Sequence, residues 1–177
     1  PLLDGLLSFL HPLFGVLAMP SGQLNLGLDS FAWPLRGEKG KEATFTTLTD
    51  LRGLSLESGK VLREILTLFR LDKEKLTLRD TELLCTGLQG RVTCNSLKVQ
   101  VGEADLTISG SVGLDGTLDY LLEVPVTGRL AGEENYRFLQ GATIRVAVRG
   151  TVKSPDYDRE KTKTAVKELL QQAASKL

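Results

Sequence analysis

Gly110–Val126 reads GSVGLDGTLDYLLEVPV. Apolar and polar residues alternate, break once at Asp115-Gly116, and alternate again. Side chains along a strand point to opposite faces in turn, so the stretch predicts a β-hairpin with one apolar and one polar face. The rest of the chain decides what that apolar face is for. It is either a closed core or a surface on which something else lies.

Working outward, the same period-two pattern runs through Arg91–Val101, Ala104–Leu114, Thr117–Val126 and Ala142–Val152. In the last of these Ile144, Val146, Val148 and Val152 share a face against Thr143, Arg145, Arg149 and Thr151. A strand centred on Cys85 and a Leu76/Leu78 alternation precede them. Short turns at Gln89-Gly90, Gly102-Glu103 and Asp115-Gly116 make neighbours antiparallel, giving a meander over 75–152. Two further regions of alternation fall in 22–57, with two short strands around Asp50 and a solvated loop at EKGK, Glu38–Lys41. Pro155, which cannot donate to a ladder, ends the last strand in the segment KSPDYD.

Three stretches read as helical. In residues 1–19 the run PLLDGLLSFLHPLFGVLAM is apolar but interrupted by Asp4, His11 and Pro12. It falls short of the roughly 20 clean apolar residues of a membrane span, and its lack of Lys or Arg disfavours a membrane-surface helix. Residues 59–70 place Val61, Leu62, Ile65, Leu66 and Phe69 at helical spacing, with Ser58 as N-cap. Residues 158–177 carry the stripe Ala165, Val166, Leu169, Leu170, Ala173, Ala174 and Leu177, whose natural seat is the apolar sheet face. The expected fold is α+β: a curved antiparallel sheet whose apolar face is covered by N-terminal, middle and C-terminal helices, in a single domain spanning 1–177. A chain of this length buries roughly two thirds of its unfolded surface, enough for a core without metals. Because it begins at Pro1, it reads as a segment of a longer protein.

Composition narrows the function. Lys+Arg and Asp+Glu both number 22, so no net field attracts nucleic acid, and aromatics at 6% provide no base-stacking platform. His11 is the only histidine, beside Pro12 in an apolar run, and no serine has a nucleophile-elbow context. There is no phosphate-loop motif. Glu103, Asp105, Asp119 and Glu123 spread along the wet side, and Glu133-Glu134 reads as a solvated loop. Arg145 and Arg149 read as partners for cross-strand acids. Trp33 reads as packing at a sheet edge, and Tyr120 as core. No cofactor, metal or catalytic residue is expected. Cys85 and Cys94 face one another if the turn sits at Gln89-Gly90, at a non-hydrogen-bonded pair with Cα atoms roughly 4.5 Å apart. The pair closes as a disulfide in an oxidising compartment; otherwise it is two small buried thiols.

Several segments resemble the C-terminal region of AsmA-like proteins, within the group of envelope proteins, TamB-type ones included, that build long β-grooves for lipid. These are SLKVQVGEADLTISGSVGLDGTLDYLLEVPV, then LQGATIRVAVRGTVKSPDYD, then the helix VKELLQQAASKL. Upstream, HPLFGVLAMPSGQLNLGLDSFAWPL and LRGLSLESGKVLREI are similar to the preceding segment of some members. The resemblance implies a periplasmic body anchored to the inner membrane through sequence upstream of this chain. It also implies a role in lipid movement between membranes or in outer-membrane assembly, with phospholipid or another acyl-chain lipid, and envelope proteins, as partners. On that reading the lipid-facing residues are Leu97, Val99, Leu106, Ile108, Tyr120, Leu122, Ile144 and Val146. The helical stretches complicate this, because helices that cover the face make this region the cap of a groove rather than the groove. Competing expectations are a scaffold that docks a partner at an exposed strand edge and, last, an enzyme with paired carboxylates acting on a sugar-like substrate.

Overall fold

A computed structural model describes residues 18–32, 44–72 and 76–175. Nine strands form one antiparallel sheet: β1 (Ala18–Ala32), β2 (Thr44–Ser58), β3 (Leu76–Leu78), β4 (Thr81–Leu88), β5 (Arg91–Val101), β6 (Ala104–Gly113), β7 (Leu118–Pro125), β8 (Thr143–Thr151) and β9 (Ser154–Tyr157). Four helices accompany them among the described residues: α1 (Lys60–Leu68), α2 (Gly128–Ala131), α3 (Glu133–Leu139) and α4 (Arg159–Ala174). This is the α+β curved antiparallel sheet that the alternation predicts. From β5 onward neighbours in sequence are neighbours in space.

The turns behave as their residues require. At Gln89-Gly90 both φ values are positive, 51° and 73°, which is the backbone of a tight two-residue hairpin turn. It sets Leu88 opposite Arg91 and Cys85 opposite Cys94. The two sulfurs are bonded, with the Cα atoms 4.0 Å apart. Cys85 is buried and Cys94 packs half-buried against the core. Closing so short a loop contributes about 2.5 kcal/mol on the chain-entropy scale. The Cys85→Ala/Cys94→Ala double variant is therefore expected to melt several degrees below the parent under non-reducing conditions. A calorimetric midpoint unchanged to within about 1 °C would contradict this.

β3 and β4 are two halves of one interrupted strand, since each pairs with β2 on one side and β5 on the other. The interruption at Arg79-Asp80 coincides with irregularities on both neighbours. On β2, Gly53 adopts φ 59° and its N–H donates to Asp80 Oδ1 (2.9 Å). On β5 the register shifts between Cys94 and Leu97, and Asn95 takes over the lost ladder bonds. Its Oδ1 accepts from Leu84 N (3.0 Å) and its Nδ2 donates to Glu82 O (3.0 Å). Bulges of this kind bend a strand and increase its twist, so three adjacent strands turn at one latitude.

Several expectations are corrected. Residues 18 and 19, expected in the first helix, belong to β1; residues 1–17, His11, Trp33 and the 38–41 loop lie outside the described residues. The two pieces around Asp50 are one 15-residue strand that tolerates the Gly53 irregularity. Ser58 is the last residue of β2 and Gly59 takes the N-cap position of α1, without a side-chain cap. Glu133 and Glu134 stand in the first turn of α3 rather than in a loop, where negative charge complements the positive helix start. Finally, Pro155 does not end the sheet. It sits in β9 opposite Gly150, and β9 is an edge strand, where a missing donor costs no ladder bond.

The core lies on one face of the sheet. Across β5–β8 a row runs Leu97, Ile108, Leu122, Val146 in direct cross-strand register. α1 covers this side with Val61, Leu62, Ile65 and Leu66, and Phe69 just beyond it is also fully buried. α2 adds Leu130 and Ala131, α3 adds Leu139, and α4 adds Val166 and Ala173. α4 starts on an Asp158 cap, whose carboxylate accepts from Lys161 N (2.9 Å). The opposite face is wet and ion-paired: Arg79 with Asp105 (3.1 Å), Arg145 with Glu123 (3.0 Å) and Arg149 with Asp119 (3.8 Å). The last two are the cross-strand pairs expected of these arginines.

Candidate functional site

The eight residues assigned to a lipid crevice do share one face. They are Leu97, Val99, Leu106, Ile108, Tyr120, Leu122, Ile144 and Val146, and none is more than 6% exposed. They form one cluster with the helix residues above them. In this conformation they are core. Burial raises the pKa of the Tyr120 phenol above its ordinary value, as expected for a ring that stays neutral.

The groups that carry chemistry elsewhere are tied up structurally. Asp115 accepts from Thr117 N (2.9 Å) and Thr117 Oγ1 (2.7 Å), and these hydrogen bonds hold its carboxyl below its usual range. It locks the β6–β7 turn. Arg91 reaches Ser111 Oγ and Thr117 Oγ1, both at 3.1 Å, and so ties β5 to the same turn. Among the described residues no group of three or more His, Cys, Asp or Glu could hold a metal ion. No described helix is long and apolar enough to cross a membrane.

The open apolar surface lies between α1 and α4, and sequence reasoning missed it. The stripe of α4 is wider than its seat. Val166 and Ala173 are buried, Ala165, Leu169 and Leu170 are half-buried, and Ala174 is exposed. On α1, Leu68 sits off the buried stripe and is also half-open. The result is a furrow in two joined compartments that share Leu68 and Lys163. One, of about 490 Å³, is lined by Leu68, Val166, Leu170 and Ala174, with Asn135, Lys163, Lys167 and Gln171 at its margins. The other, of about 690 Å³, lies toward the starts of both helices, beside Ser58, Gly59, Lys60, Arg63, Glu64, Thr67, Tyr157 and Arg159. Both are shallow and largely open to solvent, a surface groove rather than an enclosed cavity. Asn135 donates to Ala131 O (3.0 Å), while its Oδ1 is buried without a protein donor.

The furrow is held in shape at its polar end. Arg159 forms an ion pair with Glu64 across the gap, which raises the guanidinium's pKa further, and its charge lies 5.7 Å from the centre of the Tyr157 ring. Arg63 Nη2 donates to Ser58 O (2.9 Å), which fixes α1 to the end of β2. The one advance signal lay in α4, whose apolar stripe is too broad for a sheet to seat all of it.

A third cavity, of about 830 Å³, opens beside β8, β9 and the start of α4, lined by Arg145, Arg149, Asp156, Asp158 and Lys161 among others. It also takes in Leu121, Ala147, Tyr157 and Ala165, but its charges are of both signs and its two arginines are ion-paired on the wet face. No protein-family model, curated protein or solved structure matches the chain.

Proposed function

We propose that the chain is a non-catalytic, lipid-handling module of a cell envelope, of the AsmA-like kind, active in lipid transport between membranes or in outer-membrane assembly. It works in the periplasm and is held to the inner membrane by a segment outside these 177 residues. The observation that carries this reading is the apolar furrow between α1 and α4, a hydrocarbon surface left open beside a core that, from β4 to β8, is closed. Acyl chains are held by area burial, at about 0.8 kcal/mol per methylene, and need no catalytic group. The Cys85–Cys94 disulfide supports an oxidising compartment. In this role the helices cap a lipid path, with the sheet beneath them as a rigid base.

Purified protein, extracted with organic solvent and examined by mass spectrometry, is expected to release acyl lipid at a substantial fraction of one equivalent. Lipid-free protein that also takes up none from phospholipid vesicles would refute the reading. A second reading, a scaffold docking partners by strand addition, is favoured by β1, a 15-residue strand that among the described residues pairs only with β2. Recovery of an envelope protein without lipid would favour it instead.

A further inference from the structure

The furrow changes character along its length. Its compartment near the starts of α1 and α4 is bordered by Lys60, Arg63, Arg159 and Lys163, with Glu64 the only acid. Its other compartment has a hydrocarbon floor. Two of the cations are already satisfied, since Arg159 pairs with Glu64 and Lys163 with Glu160. Lys60 and Arg63 make no ion pair with a described residue, and neither does Lys167 at the margin of the apolar part. Cations without an ionic partner at one end, and half-buried Leu68 and Leu170 with exposed Ala174 at the other, complement a hydrocarbon chain with an anionic head. A flat membrane surface would meet the cations but not enter the furrow, and a neutral lipid would leave the cations unanswered.

We infer that the α1–α4 furrow binds a long-chain fatty-acid carboxylate, with the head beside Lys60 and Arg63 and the chain lying over Leu68, Val166 and Leu170. This rests on the lipid-handling reading and narrows it to an anionic single-chain ligand. The carboxylate gains Coulomb energy at a partly exposed site, so the preference for charge is moderate and sensitive to salt.

The test compares dansyl-undecanoic acid with its methyl ester, both titrated by fluorescence into protein stripped of lipid on a hydrophobic resin. At roughly 20 mM salt the acid is expected to bind about tenfold more tightly than the ester, and the gap is expected to shrink at roughly 0.5 M salt. Lys60→Glu/Lys167→Glu should abolish the preference by weakening the acid far more than the ester. Leu170→Asp should weaken both probes, and Leu170→Gln, a milder change at a half-buried site, guards against a folding defect. Lys98→Glu, exposed on the opposite face, should alter neither. Equal binding of acid and ester by the wild type, or a preference that survives in the double charge variant, overturns the inference while leaving lipid handling intact. Failure of both probes, in protein that also yields no extractable lipid, overturns the two together.

Discussion

Gly110→Ala is expected to be strongly destabilising. Gly110 sits in β6 between Cys94 on β5 and Tyr120 on β7, with φ at +143°. That conformation is strained for any residue with a Cβ. The added carbon would also fall 2.7 Å from Tyr120 Cα and against the backbone carbonyl of Asp119. Those atoms belong to a ladder that is pinned on both sides, so they cannot swing aside as a side-chain tip could. Strain and overpacking each contribute on the order of 1–3 kcal/mol, so a loss of about 3–5 kcal/mol is expected. Urea unfolding followed by circular dichroism reads it directly. A loss below about 1 kcal/mol would show that β6 and β7 can separate locally. The same close approach explains why Tyr120, a large ring on a crowded strand, has room at all: it faces a position with no side chain.

Leu122→Ala should rank next. Leu122 is fully buried, flanked in register by Ile108 and Val146, and lies beneath the helices. Truncation removes apolar contacts and leaves a cavity that neighbours pinned in a sheet cannot fill, at a cost of about 3–5 kcal/mol. For a chain of this size that lowers the thermal midpoint by on the order of 10 °C. The matched control is Leu84→Ala. Leu84 is 46% exposed on the opposite face, so its truncation should cost well under about 1 kcal/mol. If the two variants melt together, the face holding Leu122 is not the closed core.

The contrast between Leu122 and Leu84 also shows how far the amino-acid order could be read. Alternation is a local property, and it placed Ile144, Val146 and Val148 correctly on one side because their period is set by strand geometry alone. The disulfide register followed from Gln89-Gly90, because a two-residue turn leaves no freedom in which residues oppose. Other features depend on partners distant in sequence. The join of β3 and β4 across Arg79-Asp80 is stabilised by Gly53, which lies 27 residues from Asp80, and no window along the chain contains both. β9 survived Pro155 because it became an edge, which is a fact of sheet order and not of the residue. α2 and α3 are short segments, four and seven residues, below the length at which helical periodicity shows. The candidate site was the least legible. Whether Leu170 and Ala174 meet the sheet or stay open depends on where Leu68 of α1 stands, and the two helices are separated by most of the sheet.

Whether hydrocarbon is held in that furrow, outside the closed core, is measured most directly by paramagnetic relaxation. Protein with ¹³C-labelled Leu and Val methyls is mixed with a fatty acid carrying a nitroxide near its chain end. The methyls of Leu68, Val166 and Leu170 should broaden strongly, while those of Leu97, Leu106 and Leu122 keep their intensity. Broadening centred on Leu97, Leu106 and Leu122 would mean that the helices open and the sheet face itself receives the chain, contrary to the site assigned here.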